Sequence, residues 1–293
     1  MTRSDRLSAY LHRLGLDAVP SADPGGVARL QAAHRQMIGF ENLDVRLGRP
    51  IRIDPESAFD KLVTRGRGGY CFEQNRLFSD MLAALDMTNR PLLARVWLGL
   101  TPGVDAPPPR SHVLLLVDLD GAPWIADAGF GGSYVPPLPL VDGTVVRTED
   151  GAMHRLRRVG AVGDLAGEWL LERAGPTTAT DGRGAPHDDW QPQYGFDLAP
   201  VAPIDLEQCN HWTATRPDTR FTTLQIVSIA LADGFAAMTD RRLALYRGGE
   251  ASVREIASAP DYHAVLTDLF RLTISLQDVT SLPTFAGDPA PDW

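Results

Sequence analysis

The sequence predicts an α+β protein built in three successive parts: an N-terminal helical bundle over 1–88, a central antiparallel, barrel-like sheet over 89–200, and a C-terminal α/β segment over 201–293. Three observations carry this. Up to about residue 88 the apolar residues recur at helical spacing behind recognisable caps. From Leu92 the pattern changes to short strand-like runs punctuated by Gly, Pro and Asp. After about Pro200 the two patterns mix.

Taken in order, residues 4–15 read as an amphipathic helix with Ser4 as its cap, Leu7, Tyr10, Leu11 and Leu14 on one side, and Gly15 at its end. A second helix runs over 24–38, capped by Asp23 with Pro24 in its first position. Residues 43–53 read as an extended connection. Asp54-Pro55 repeats the start signal for a third helix to about Val63, and a fourth begins near Cys71. Strand-like pieces follow at 92–98, 112–119, 124–128, 144–147, 154–159 and 168–173. The proline-rich run over 101–109 has strand-like pieces on both sides, so it reads as a loop within one sheet rather than a linker. Further on, 221–231 and 234–246 read as strands with a turn near Asp233-Gly234. Residues 261–272 read as a helix with Tyr262, Val265, Leu266 and Leu269 available for packing, and the last ten residues as a loose tail.

A chain of 293 residues, 44% apolar and 22% charged, has the composition of a globular protein with a sizeable core. Its net charge of −9 and lack of a basic block argue against a nucleic-acid partner. No signal-like start and no apolar run of spanning length appear, so no membrane partner is expected. The two cysteines, Cys71 and Cys209, offer neither a disulfide framework nor a zinc cluster. His12, His34, His154, His187, His211 and His263 are scattered without metal-ligand spacing. The expectation is a soluble, cytoplasmic protein that uses no metal.

The most informative stretch is Arg65-Gly66-Arg67-Gly68-Gly69-Tyr70-Cys71-Phe72-Glu73-Gln74-Asn75. A glycine-rich turn leads to a cysteine at the start of a helix whose apolar residues are Phe72, Leu77, Phe78, Met81, Leu82 and Leu85. The helix dipole and the nearby guanidinium groups would favour the thiolate, the reactive form of cysteine. By itself the stretch fits a nucleophile and a packed structural thiol equally.

A nucleophilic thiol needs a base, and the base needs an orienting partner. Asp120-Gly121 is a hairpin turn signal between two strand-like runs. If those two residues form the loop, Leu119 faces Ala122 and Asp127 lies opposite Leu114. His112 shares a face with Leu114, because side chains alternate along a strand. His112 and Asp127 then become diagonal neighbours within reach of each other. A slip of one residue would abolish this. Gly129-Phe130-Gly131-Gly132 follows almost directly, and such a turn can present backbone N–H groups to an anion.

These segments carry a resemblance. Arg67 to Asn75, Ser111-His112, Asp127-Ala128-Gly129-Phe130-Gly131 and the upstream Gly39-Phe40-Glu41-Asn42-Leu43-Asp44 look like the arylamine N-acetyltransferase family, in the family's order and across most of the chain. The run from Asn210 to Phe221 resembles a further family segment, though its second half departs from the usual form. The resemblance implies a cysteine-protease-like catalytic core, with the C-terminal α/β segment as a lid over the cleft. It implies Cys71, His112 and Asp127 as catalytic residues, Phe130 and Phe221 as pocket aromatics for a flat acceptor, Trp97 on the cofactor side, and Gly131 and Gly132 at the acyl-donor wall. It further implies an ion-pair network of Glu41 and Arg67 beneath the site, with Arg13 as a third member.

The implied reaction is acetyl-CoA-dependent acetylation of an arylamine or hydrazine, of the kind met in xenobiotic metabolism. Acetyl-CoA would serve as cosubstrate, an acetyl-cysteine as intermediate, and the kinetics would be ping-pong. Three alternatives remain at this point. One is an amide synthase of the same family that releases a polyketide chain. Another is a cysteine hydrolase using the same three residues. The third is a binding protein that keeps the fold without turnover.

Overall fold

The structure, a computed structural model, describes residues 2–183 and 189–286. Helix α1 (Arg3–Leu14) begins one step earlier than expected. Thr2, not Ser4, is its N-cap: the Thr2 side chain accepts from Asp5 N while the Asp5 carboxylate accepts from Thr2 N. Gly15 closes it in the left-handed conformation. Helix α2 (Pro24–Met37) starts as the sequence indicates, with Asp23 accepting from Gly26 N. A two-residue strand β1 (Phe40–Glu41) follows. The stretch expected to be extended instead opens with a short helix, α3 (Leu43–Arg46). Helix α4 (Pro55–Phe59) is capped by Asp54 and runs on into a π-helical turn, Asp60–Thr64. Helix α5 (Cys71–Ala84) is buried along most of its length.

Next come strands β2 (Asn89–Val96), β3 (His112–Leu119), β4 (Ala122–Ala126), β5 (Leu138–Pro139), β6 (Val145–Arg147), β7 (Met153–Arg158), β8 (Trp169–Ala174) and β9 (Gln191–Phe196). They form a nearly closed, eight-stranded, antiparallel sheet in the order β5-β4-β3-β2-β9-β8-β7-β6. β2 and β3 are neighbours, so the proline-rich run does connect strands of one sheet. β9 is absent from the sequence reading. Its Pro192 sits at an irregularity in the β8–β9 ladder, where the register shifts between Leu171 and Glu172. A central strand tolerates proline only at such a break.

The C-terminal segment departs more from expectation. A helix not foreseen, α6 (Pro203–Thr215), carries Cys209. The front of the strand expected over 221–231 is a short helix, α7 (Arg220–Thr223), and β10 (Ile226–Leu231) starts after it. The single strand expected over 234–246 is two, β11 (Gly234–Thr239) and β12 (Arg242–Arg247), followed by β13 (Glu250–Glu255). Helices α8 (Ala259–Asp268) and α9 (Leu276–Thr280) complete the described chain; α8 is capped by Ser258, earlier than expected. Most of the tail expected over the last ten residues, and His187, lie outside the described residues.

The second sheet has the order β1-β10-β11-β12-β13, so a strand from the N-terminal helical segment forms its edge. Tyr10, Leu30, Phe78 and Leu82 pack α1, α2 and α5 against Leu115 and Val117 of β3. β3 is largely buried on both faces from Val113 to Val117, which is why that stretch is an unbroken apolar run. A separate cluster of Phe40, Tyr70, Cys71, Phe72, Leu93, Val113 and Ile226 lies where the helices and both sheets meet. Among the described residues, no helix is long and apolar enough to cross a membrane.

Candidate active site

Cys71 is the first residue of α5, and the helix start is held from within. Glu73, three residues past Tyr70, reaches back so that its Oε2 accepts from Tyr70 N at 3.0 Å. The thiol is 2% exposed and lies 3.5 Å from the Ser111 carbonyl oxygen. Burial pushes the Cys71 thiol up, and the negative charge of Asp127 adds to this; the backbone N–H groups of Val113, Phe72 and Cys71 pull it the other way. The guanidinium groups do not act on it as the sequence reading expected. Arg65 pairs with Asp60 at the surface, and Arg67 turns into the interior to bind Glu41 and Asp44. Ionisation of this thiol therefore depends on a local base.

A candidate base, His112, lines the same cavity as Cys71. The β3–β4 ladder pairs Leu119 with Ala122 and Leu115 with Ala126, the register the hairpin turn required. Asp120 and Gly121 both have positive φ, 54° and 77°, which is the geometry of a type I′ turn. The ladder ends at Ala126, yet the Asp127 carboxylate still reaches the first residue of β3. His112 Nε2 and Asp127 Oδ2 are 2.7 Å apart, and both side chains are buried. With Nε2–H donated to Asp127, Nδ1 is the ring nitrogen not engaged by the carboxylate. Burial raises Asp127, but His112 and hydrogen bonds from Asn75 and Gly129 N lower it more, and the net position is below the usual carboxylate value.

Several residues that hold this arrangement were not singled out from the sequence. Asn75, one turn along α5 from Cys71, donates to Asp127 Oδ1 at 3.0 Å and to the Val113 carbonyl at 2.7 Å; its own oxygen accepts from Ala128 N. From α2, Gln31 accepts from Asp127 N, and Arg35 donates to the Phe130 carbonyl. Tyr194 of β9 packs on the imidazole with ring centroids 4.9 Å apart, and Phe130 meets it edge-on at 5.3 Å. Asn75 was legible as part of the cysteine stretch. Gln31, Arg35 and Tyr194 carried no local signal.

Cys71, His112, Phe40, Phe130, Gly131 and Phe221 line one cavity of about 260 Å³. Asp127 lies behind it. Phe221 is edge-on to Tyr70, whose hydroxyl binds Asn210 of α6. Ser111, Pro109 and Val96 complete one wall; Trp212, Thr213, Thr219, Arg220 and Ile226 from the C-terminal segment supply the other, with Asp181 and Arg183. Two residues expected at the cavity are elsewhere. Trp97 is 1% exposed and packs inside the sheet against Gly195, while its neighbour Val96 faces the cavity. Gly132 does not line the cavity: a Cβ there would meet Leu98 and the Phe130 ring, and its carbonyl accepts from Asp181 N. Strand alternation explains the first case: Trp97 is one residue past Val96 and points to the other face.

The ion network beneath α5 contains the expected Glu41–Arg67 pair, is larger than expected, and lacks Arg13. Arg67 binds Glu41 at 2.7 Å and Asp44 at 3.3 Å; Lys61 binds Asp44 at 2.8 Å and Glu73 at 2.7 Å. Arg13 is not part of it and donates to the Arg271 carbonyl. Lys61 lies in the helix expected from Asp54 to about Val63, which gave no sign of a buried charge. Burial pushes Asp44 up, but Lys61 and Arg67 outweigh it and hold its carboxyl at about 2. Burial leaves Glu73 above its usual value despite Lys61.

The N-acetyltransferase family model matches residues 26–279. The arylamine N-acetyltransferase of Escherichia coli is 34% identical over 271 residues, covering 92% of this chain and 89% of that protein. The proansamycin X synthase of Amycolatopsis mediterranei also aligns, at 28% identity, over 89% of this chain and 95% of that protein. Among solved structures, the arylamine N-acetyltransferase of Salmonella typhimurium superposes with a TM-score of 0.85 at 31% identity, covering 98% of this chain and 99% of that one. The Mycobacterium marinum arylamine N-acetyltransferase in complex with CoA superposes with a TM-score of 0.80 at 29% identity, covering 93% and 96%.

Proposed function

The chain belongs to the arylamine N-acetyltransferase family, and from that premise we propose that Cys71 is its nucleophile, His112 its proton carrier and Asp127 the group that orients His112. The enzyme is an acetyl-CoA-dependent arylamine N-acetyltransferase. The observation that carries the residue roles is the buried 2.7 Å contact of His112 with Asp127, on a strand whose imidazole shares a cavity with a cysteine at a helix N-terminus.

His112 Nδ1 takes the thiol proton, and Cys71 Sγ attacks the thioester carbonyl carbon of acetyl-CoA. Backbone N–H groups near Cys71 stabilise the oxyanion. As the carbon–sulfur bond to coenzyme A breaks, His112 returns the proton to the departing thiolate. Cys71 is left as an acetyl thioester. An arylamine nitrogen then attacks that carbonyl, His112 removes its proton, and Cys71 leaves as the thiol. Asp127 keeps the imidazole in one tautomer throughout. Two half-reactions through one covalent enzyme give ping-pong kinetics.

Phe130, Phe221 and Phe40 supply a flat apolar lining for the aromatic acceptor, in a role we assign on position alone. The partners in this reading are small molecules, a choice that rests on the acidic net charge. A cytoplasmic location is the setting we propose for two free cysteines, one of them the working thiol. The alignment with proansamycin X synthase favours one second reading, an amide synthase acting on a larger acyl thioester.

Intact-mass measurement after mixing the protein with acetyl-CoA and no amine tests the proposal. The expected result is one acetyl adduct, absent in Cys71→Ser and discharged by an arylamine. No adduct on protein with a reactive thiol would move the reading to the amide synthase.

A further inference from the structure

The cavity that holds Cys71 carries one charged cluster outside the machinery just described. Asp181, Arg183 and Arg220 all line it. The Asp181 side chain is 3% exposed, and both arginines bind the same carboxylate oxygen, Oδ2: Arg183 Nε at 2.6 Å and Arg220 Nη2 at 3.4 Å. Two cations share one buried carboxylate at the cavity wall, and Asp240 is a second carboxylate acting on Arg220 from a distance. Among the described residues Asp181 is the only side-chain acceptor bonded to either arginine, so most of each guanidinium fork is unused. The cluster is anchored. Asp181 N donates to the Gly132 carbonyl at 2.8 Å, which ties it to the turn that follows Asp127. Arg220 opens α7 and is followed directly by Phe221.

Each arginine is only about a quarter exposed, at 29% and 27% of its side chain. A part-buried cation pair with unused donors is matched best by a planar or tetrahedral anion that can take bidentate hydrogen bonds. We propose that Arg183 and Arg220, held by Asp181, form an anion subsite of this cavity that recognises a carboxylate or phosphate group borne by a substrate. The proposal rests on the acetyltransferase reading. That reaction offers two sources for the anion: an acidic arylamine, or the phosphates of coenzyme A. Arg220 is the main contact because its helix position places it beside the aromatic lining. Asp181 is a positioning residue, spreading the two forks.

The test compares the parent enzyme with Arg220→Gln and Arg183→Gln on paired substrates. With acetyl-CoA as donor, the acceptors are 4-aminobenzoate and 4-methylaniline. With 4-methylaniline as acceptor, the donors are acetyl-CoA and the phosphate-free 4-nitrophenyl acetate. Loss of a charge-assisted contact raises KM for the anionic member of a pair roughly tenfold and leaves the neutral member within about twofold. A shift confined to 4-aminobenzoate assigns the subsite to the acceptor carboxylate; a shift confined to acetyl-CoA assigns it to the donor phosphates. Equal change for the anionic and neutral members of both pairs, in variants that keep the parent melting temperature, overturns the proposal. If the parent forms no acetyl-Cys71 it is the acetyltransferase reading that fails, and calorimetric titration with coenzyme A and with 4-aminobenzoate then judges the subsite. Weaker binding of either probe by Arg220→Gln supports the subsite, and unchanged binding of both, or none by the parent, overturns it.

Discussion

Asn75 donates a hydrogen bond to Asp127 from the helix that begins with Cys71, at 3.0 Å and one turn along. The helix that carries the thiol therefore also fixes the carboxylate that orients the imidazole. Its amide binds the Val113 carbonyl as well, beside His112 in the chain. One side chain thus ties the helix of Cys71 both to Asp127 and to the residue that follows His112.

Asn75→Ala is expected to lower the rate of Cys71 acetylation by roughly 10–100-fold, because Asp127 and β3 lose this tie to the Cys71 helix. It also leaves buried partners unsatisfied, at about 1–3 kcal/mol each. Stopped-flow acetylation, with denaturant unfolding alongside, separates the two effects. An unchanged rate in a destabilised protein would show that Asn75 serves only the fold.

The raised Cys71 thiol gives a pH signature. Burial and Asp127 favour the protonated thiol, so without His112 the neutral form persists through neutral pH. In His112→Ala, alkylation by iodoacetamide is expected to be slow at pH 7 and to climb about tenfold per pH unit as thiolate forms. The parent is expected to react with little pH dependence over the same range, because the proton passes to the imidazole. Parallel profiles for the two proteins would remove His112 as the base.

Lys61 is the cation between Asp44 and Glu73. Lys61→Met leaves buried carboxylates without it and is expected to cost about 3–5 kcal/mol. The pH dependence follows from Asp44. Its folded-state value, about 2, lies below its unfolded value, so the ionised group contributes stability above the unfolded value and loses it as pH falls toward 2. Removing Lys61 raises the folded value, so the acid-unfolding midpoint is expected to move to higher pH. Circular dichroism across an acid titration measures this.

Gly129→Ala tests the close approach beside the site. A Cβ there would stand 2.7 Å from Asn75 Nδ2 and 2.8 Å from Cys71 Cα. Backbone cannot give way as a flexible side chain can, so the substitution is expected to cost about 1–3 kcal/mol and to lower kcat more than it raises KM. Steady-state kinetics with one acceptor check it, and parent kinetics would show that the turn and helix separate freely.

How much was legible follows from particular residues. The His112–Asp127 neighbourhood could be read because Asp120-Gly121 fixes the hairpin register, and register fixes faces. Strand β9 could not, since Gln191, Pro192 and Gly195 carry no strand preference and are paired because β2 and β8 flank them. Helix α6 lacks an apolar stripe; among its buried residues are Asn210 and Thr213. The sequence reads 221–224 as strand because Phe and Thr favour strands, yet Asn42 binds the carbonyls of Phe221 and Leu224 and fixes the bend.

The sequence by itself determined the fold class, the glycine-led helix start at Cys71 and the hairpin that joins His112 to Asp127. Each of these is written in residues close along the chain, where backbone preference and turn chemistry act. Tertiary structure alone decided that Lys61 joins the buried ion network of Glu41 and Arg67, that Arg13 stays outside it, and that Arg183 and Arg220 meet on Asp181 at the cavity wall. Those outcomes depend on where charges separated by tens of residues come to rest, and that is set by the packing of whole elements.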